Sequence, residues 1–181
     1  MGVDLDSACY VYKPEFGIKC VTTVVDAAIE NNVYAIIDWH SHNLRQEEAK
    51  EFFAQMATRY KGVPNVIYEV FNEPVEDSWE QVKAYSVEII KTIRAIEPEA
   101  VILVGCPHWD QDIHLAADDP ITGYNNIMYT VHFYANTHGQ WLRDRTDYAL
   151  SKGLPIFISE CAGMELSLIH ISEPTRQEAI S

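Results

Sequence analysis

The stretch Asn65 to Pro74, NVIYEVFNEP, decides the fold. Val66 to Phe71 reads as a buried strand, because Val, Ile, Tyr and Phe suit a pleated, enclosed surface and only Glu69 interrupts them. Pro74 has no N–H for a sheet ladder, so the strand must stop before it. Glu73 is left at the strand's carboxyl end, beside the Asn72 amide, which can hold a hydroxyl group. On its own, Asn-Glu-Pro could equally be a simple turn. Its place among the other strands decides between the two.

Working outward, Pro14 predicts the first turn of a helix whose buried stripe is Val21, Val24, Val25, Ala28 and Ile29, ending at Asn31-Asn32. Val33 to Asp38 is a short strand, followed by a loop with Trp39, His40, Ser41 and His42. Asn43 with Gln46 predicts a capping box for a helix buried through Phe52, Phe53, Met56, Ala57 and Tyr60 and closed by Gly62. Ser78 with Gln81 predicts another, opening a helix that runs to Ile96. Strands follow at Ala100 to Gly105, Ile127 to His132 and Pro155 to Glu160, with a helix from about Trp141 to Lys152 capped by Gly153. The strands start near residues 33, 66, 100, 127 and 155, at intervals of 33, 34, 27 and 28. That recurrence implies α/β architecture with a parallel sheet covered by helices. Asp38 and His40, Glu73, His108 and Trp109, His132 and Tyr134, and Glu160 all fall at or just past strand carboxyl ends. A (β/α)8 barrel gathers its chemistry there, whereas a dinucleotide fold would need a GxGxxG turn that this chain lacks. The pattern therefore predicts a barrel.

At 181 residues and 48% apolar content the chain suits one domain with a real core. A net charge of -14 argues against nucleic acid or anionic membranes as partners. No run of eighteen apolar residues offers a membrane span. Cys9, Cys20, Cys106 and Cys161 show no CxxC spacing, so neither a zinc site nor a redox motif is indicated. Met1 to Asp4 is acidic, unlike the basic start of a signal peptide.

Two glutamates on separate strand ends, Glu73 and Glu160, are the pair that glycoside hydrolysis requires, one as acid and one as nucleophile or base. Trp39, Trp109, Tyr134 and Trp141 lie in or beside the same loops, where flat rings can stack on sugars; each is also a candidate for core packing. His40 and His42 admit a rival reading, a metal-dependent barrel hydrolase that would recruit His132 and Asp38, although no further ligand pattern accompanies them. A non-catalytic carbohydrate-binding relic would keep the aromatics and need neither glutamate.

AIIDWHSH, NVIYEVFNEP, VHFYANTHGQ and PIFISE resemble consecutive strand motifs of glycoside hydrolase family five, the cellulase family. HWDQDIHLAADDP resembles its bacterial endoglucanase branch. The resemblance runs from about residue 1 to Glu165. It implies a retaining endo-β-1,4-glucanase on a (β/α)8 barrel, acting on β-glucan polysaccharide or oligosaccharide with no cofactor and no metal. It further implies an extracellular enzyme that is a monomer at full length. By resemblance Glu73 is the acid/base and Glu160 the nucleophile, Asn72 holds the sugar 2-hydroxyl, Trp109 stacks on a sugar, and His40, His132 and Tyr134 orient substrate and nucleophile. Those roles predict a raised pKa at Glu73 and an ionised Glu160.

The family also carries an Arg at the end of its second strand, and no residue before Pro14 is Arg. The expected content is thus a partial barrel, strands three to seven of eight, in residues 1–165, a fragment of weak activity. LSLIHISEPTR, residues 166–176, resembles translated sequencing adapter, so residues 166–181 are expected to be a foreign tail.

Overall fold

The computed structural model describes residues 10–163; Cys9 and the expected foreign tail lie outside them. The element order is α1 (Pro14–Glu30), β1 (Ala35–Asp38), α2 (Gln46–Arg59), β2 (Val66–Glu69), α3 (Trp79–Arg94), β3 (Val101–Val104), α4 (Pro107–Asp110), α5 (Ile113–Asp118), β4 (Ile127–Tyr134), α6 (Gln140–Ser151) and β5 (Ile156–Ala162). The five strands lie in the order β1-β2-β3-β4-β5, and every neighbouring pair is parallel. A doubly wound sheet would reverse direction at a switch point. This one advances steadily, as one side of a barrel does.

The sheet also curls. Ser159 on β5 donates to Glu69 on β2 at 2.5 Å. Three strand spacings of ~4.8 Å would hold those strands about 14 Å apart in a flat sheet. The curl turns Ile36, Asp38 and Glu69 toward a concave interior, while Tyr68 packs outward against Phe53 of α2 and Tyr85 of α3 donates to the Val70 carbonyl. Ser78 forms the expected capping box with Gln81, and Gly62 and Gly153 take the left-handed backbone that ends α2 and α6.

Four expectations change. Trp39 is fully buried, wedged among Tyr10, Phe52 and Phe53, so it is core and not a sugar platform. Val24 is exposed, because α1 buries a narrower stripe of Gly17, Val21 and Val25. The Asn43 capping box does not form. The Ser41 hydroxyl engages both the amide and the carbonyl of Asn43, holding residues 41–43 in a turn, and Arg45 becomes the N-cap. Finally, the loop after β3 contains two short segments, α4 and α5, that its sequence did not announce.

Candidate active site

The turn that carries Glu73 is clasped from both sides. The Asn72 and Glu73 amides donate to the carbonyls of Trp39 and Ser41 in the β1 loop. On the other side the Trp109 amide donates to the Pro74 carbonyl at 2.9 Å. Gly105, at the end of β3, makes that second clasp possible: a Cβ there would collide with the Phe71 carbonyl oxygen. Beyond it His108, Trp109 and Asp110 all adopt left-handed backbone, with φ of 61, 54 and 58°. Left-handed conformations of non-glycine residues cost about 1–3 kcal/mol each and persist where their surroundings enforce them. This turn holds Trp109 at the surface and sends the Asp110 side chain into the interior, fully buried.

β5 supplies the second carboxylate through a bulge. Thr130 pairs with Phe157, but His132 pairs with Glu160, so β5 spends one extra residue. Adjacent strand residues normally face opposite ways. The bulge lets both Ser159 and Glu160 line the interior, while Ile158 points outward at 49% exposure. Tyr134 donates its phenol proton to Glu160 Oε1 in a short hydrogen bond.

The two glutamates meet at His132. One side-chain oxygen of Glu73, one of Glu160 and a His132 ring nitrogen all lie within 4.8 Å of one another. His132 Nδ1 is 2.8 Å from Glu73 Oε1, and His42 Nε2 is 3.1 Å from Glu73 Oε2. On the ring's other side, Nε2 is 2.9 Å from Ser159 Oγ. Since Ser159 gives its own proton to Glu69, it must accept from His132, which fixes a proton on Nε2. Asp110 Oδ2 lies 3.2 Å from the same nitrogen.

Burial works against the charge on His132, but Asp110, Glu69 and Glu73 outweigh it and raise its pKa to about 11. Burial also pushes Asp110 well up, and the His132 charge pulls it back. Asp110 Oδ1 accepts the Cys106 amide, while Oδ2 has no hydrogen bond among the described residues and lies 3.2 Å from His132 Nε2, so the pair is assigned as carboxylate and imidazolium held together by charge. At Glu73 burial raises the pKa, but the hydrogen bonds and charges of His132 and His42 win and leave it below the ordinary glutamate range. This corrects the expected raised pKa: in the resting site the proton sits on His132, one hydrogen bond away.

The remaining expected residues fall around this centre. Asn72 is buried, and its Nδ2 has no hydrogen-bond partner among the described residues. His40 holds Asp38 at 2.9 Å, and burial above all raises Asp38 to about 6. Both His40 and Asn72 line an interior pocket of about 240 Å³ with Glu160 and Asp38. Above it, a cleft of about 480 Å³ runs past Glu73, His132 and Tyr134 between Trp109 and Trp141, which are 39% and 41% exposed. Gln111, Thr137 and His138 complete its walls.

His40 and His42 do not converge on a common ion position: their rings are 6.4 Å apart and take different carboxylate partners. Among the described residues, the two groups close enough to share an ion are Glu69, Asp110 and His132, and Glu73, His132 and Glu160. Sequence reasoning passed over Glu69, Asp110 and Ser159. Glu69 was visible as a lone charge in an apolar strand, but nothing flagged Asp110 within its loop.

Several known proteins are similar to this chain. The chain is 47% identical over 163 residues to endoglucanase Z of Dickeya dadantii, and 46% identical over 158 residues to an endoglucanase of Clostridium saccharobutylicum. These alignments cover 88% and 83% of the chain but only 38% and 35% of the relatives. Among solved structures, one from Cytophaga hutchinsonii superposes with a TM-score of 0.84 at 42% identity, covering 89% of this chain and 53% of that one. The catalytic domain of Thermobifida fusca endoglucanase Cel5A superposes at 0.81 with 31% identity, covering 86% of this chain and 54% of its own. A variant of the latter, solved in complex with cellotetraose, superposes at 0.78 with 31% identity over 84% of this chain and 53% of that one. The chain thus spans about half of these solved domains. The family model described as cellulase, glycosyl hydrolase family 5, matches residues 10–180, and the chain belongs to that family.

Proposed function

We propose that the protein to which this chain belongs is a retaining endo-β-1,4-glucanase, with Glu160 as nucleophile and Glu73 as acid/base. The observation that carries the reading is the approach to within 4.8 Å of side-chain oxygens of Glu73, which lines the cleft walled by Trp109 and Trp141, and Glu160, which lines the interior pocket. Retaining enzymes keep their carboxyl groups ~5–5.5 Å apart, and inverting ones leave ~6.5–9.5 Å for a water.

In the first step Glu160 Oε attacks the anomeric carbon as the glycosidic C–O bond breaks, and Glu73 delivers a proton to the departing oxygen. Glu73 draws that proton from the supply it shares with His132 Nδ1. In the second step Glu73 takes a proton from water, whose oxygen attacks the anomeric carbon and frees Glu160. Tyr134 steadies the Glu160 carboxylate, Asn72 Nδ2 is placed to receive a sugar hydroxyl, and Trp109 and Trp141 offer stacking faces. The β-glucan substrate is inferred from the relatives and from the cellotetraose held by a neighbour. Because a polymeric glucan cannot enter a cell, the reading places the protein outside it.

The chain spans about half of the solved domains, so we expect slow turnover from these 181 residues and faster turnover once a strand carrying the family's Arg is restored. The test is trapping. A 2-fluoro cellobioside with a dinitrophenol leaving group should label Glu160, read by peptide mass spectrometry, and cellotetraose hydrolysis should first release the β-anomer. Labelling elsewhere, or first release of the α-anomer, would sink the assignment.

A further inference from the structure

The left-handed turn at residues 108–110 does more than present Trp109. We propose that Asp110 is a positioning residue for the acid/base: the turn seats its carboxylate 3.2 Å from His132 Nε2, which locks the ring so that Nδ1 addresses Glu73. This rests on the reading of Glu73 as acid/base.

Three observations support it. First, Asp110 is fully buried and its Oδ1 takes the Cys106 amide proton, while Oδ2 has no hydrogen bond among the described residues and meets the His132 ring at 3.2 Å as a charge contact. A buried carboxylate survives only where a cation or several donors face it. Second, the residue pays for its place with strained backbone, φ 58°, although an ordinary loop could have covered this end of the sheet. Third, the groups facing His132 divide by side. Glu73 and Glu160 approach from the cleft, while Glu69 of β2, Ser159 of β5 and Asp110 of α4 gather behind the ring. Glu69 reaches it mainly through the Ser159 hydroxyl, since its own oxygen is 3.8 Å from Nε2. Asp110 is therefore the nearest negative group behind the imidazole, in keeping with its place as the leading cause of the raised pKa of His132.

The consequence is a shared proton whose position Asp110 sets. With Asp110 ionised the proton rests on Nδ1 and Glu73 is a carboxylate. Without that charge the imidazolium is less favoured and the ring is held from behind by the Ser159 hydrogen bond without its charge contact, so Nδ1 is presented less well to Glu73.

The experiment follows the His132 ring nitrogens by 15N NMR across pH in the chain itself, in Asp110→Asn and in Glu69→Gln, with the amide spectrum as the check on folding. The parent should keep both nitrogens protonated well above neutral pH. Asp110→Asn should lower the titration midpoint by about one to three pH units, the range for losing one close opposite charge, and Glu69→Gln by less. A parent His132 that is neutral at neutral pH, or a midpoint unmoved by Asp110→Asn, overturns the proposal. If Asp110→Asn fails to fold, the parent titration and Glu69→Gln decide: a larger shift from Glu69→Gln than the parent's margin above an ordinary histidine overturns it.

A second measurement uses aryl cellobiosides. Asp110→Asn should slow hydrolysis of the phenol glycoside, which needs acid assistance, far more than that of the dinitrophenol glycoside, which does not. Equal slowing means a purely structural residue and overturns the proposal. Should the parent cleave neither glycoside, it is the glucanase reading that fails, while the NMR result still stands or falls on the contact between Asp110 and His132.

Discussion

Glu73 and Glu160 are the same residue type at the ends of parallel strands, yet their surroundings differ. Glu73 sits over the middle of the sheet, its turn clasped by loops from β1 and β3 and its two oxygens taken by His132 and His42. Glu160 sits on β5, which among the described residues pairs only with β4, and it accepts its hydrogen bond from Tyr134. The acid/base must change protonation twice in each turnover, so it needs neighbours that can lend and reclaim a proton. The nucleophile needs only to remain a carboxylate and to point correctly, which one phenol and a bulge can arrange. The contrast in neighbours is thus a contrast in duties, and it can be attacked from each side.

The largest effect should come from removing the carboxylates themselves, in whatever length of chain shows turnover. Glu160→Ala should abolish hydrolysis of every substrate, because no other group can form the glycosyl intermediate. Glu73→Ala should cost about 10²- to 10⁴-fold on unactivated cellotetraose, the usual worth of a general acid. It should also regain turnover of a dinitrophenyl cellobioside when azide is added, giving the β-glycosyl azide. If azide instead rescued Glu160→Ala to the β-product, the two roles would have to be exchanged.

Tyr134→Phe tests the thinner support on the β5 side. A hydrogen bond to a charged group is worth about 1.5–3 kcal/mol, so kcat/KM should fall about ten- to a hundredfold with little change in melting temperature. A large loss of stability instead would make Tyr134 a packing residue. Gly105→Ala tests the Glu73 side, and its readout is stability. Overpacking against the Phe71 carbonyl should cost about 1–3 kcal/mol in denaturant melts, since the strand ends at β2 and β3 cannot both hold their places. An unchanged midpoint would mean that the clasp does not need the bare backbone.

How legible this was from sequence follows the same division. The spacing of apolar runs gave five parallel strands, because strand burial leaves its mark on every second or third residue. Both glutamates were legible because Pro74 and the end of PIFISE mark where strands stop. Trp39 stayed open between core and sugar platform, since its loop position says nothing about the pocket formed by Tyr10, ahead of α1, and by Phe52 and Phe53 of α2. Asp110 was invisible for a related reason: only a turn of three left-handed residues makes an aspartate in HWDQD face inward, and no propensity predicts such a turn. The protonation of Glu73 was expected from its family role, whereas His132 and His42, from β4 and the β1 loop, decide it.

The pH dependence of stability is the most diagnostic of that interior. His132 has a pKa raised to about 11 from the 6.5 of an ordinary histidine, so the folded state holds this proton where the unfolded chain releases it. Its contribution to stability is fully present below about 6.5, declines as pH rises above that value, and is lost by the time pH passes about 11. Asp38 acts in the same sense at lower pH, because burial raises its carboxyl to about 6 from 3.8. Folding therefore favours its protonated form, and stability falls as pH climbs from about 4 to about 6. Denaturant midpoints measured across pH should decline in two separate windows. Asp38→Asn should remove the acidic decline and leave the alkaline one, while His132→Gln should do the reverse. If Asp38→Asn flattened both windows, the two groups would form one titrating unit through Glu69, which lies between them. The histidine behind Glu73 and the acid beneath His40 would then belong to a single charge network spanning β1 to β5.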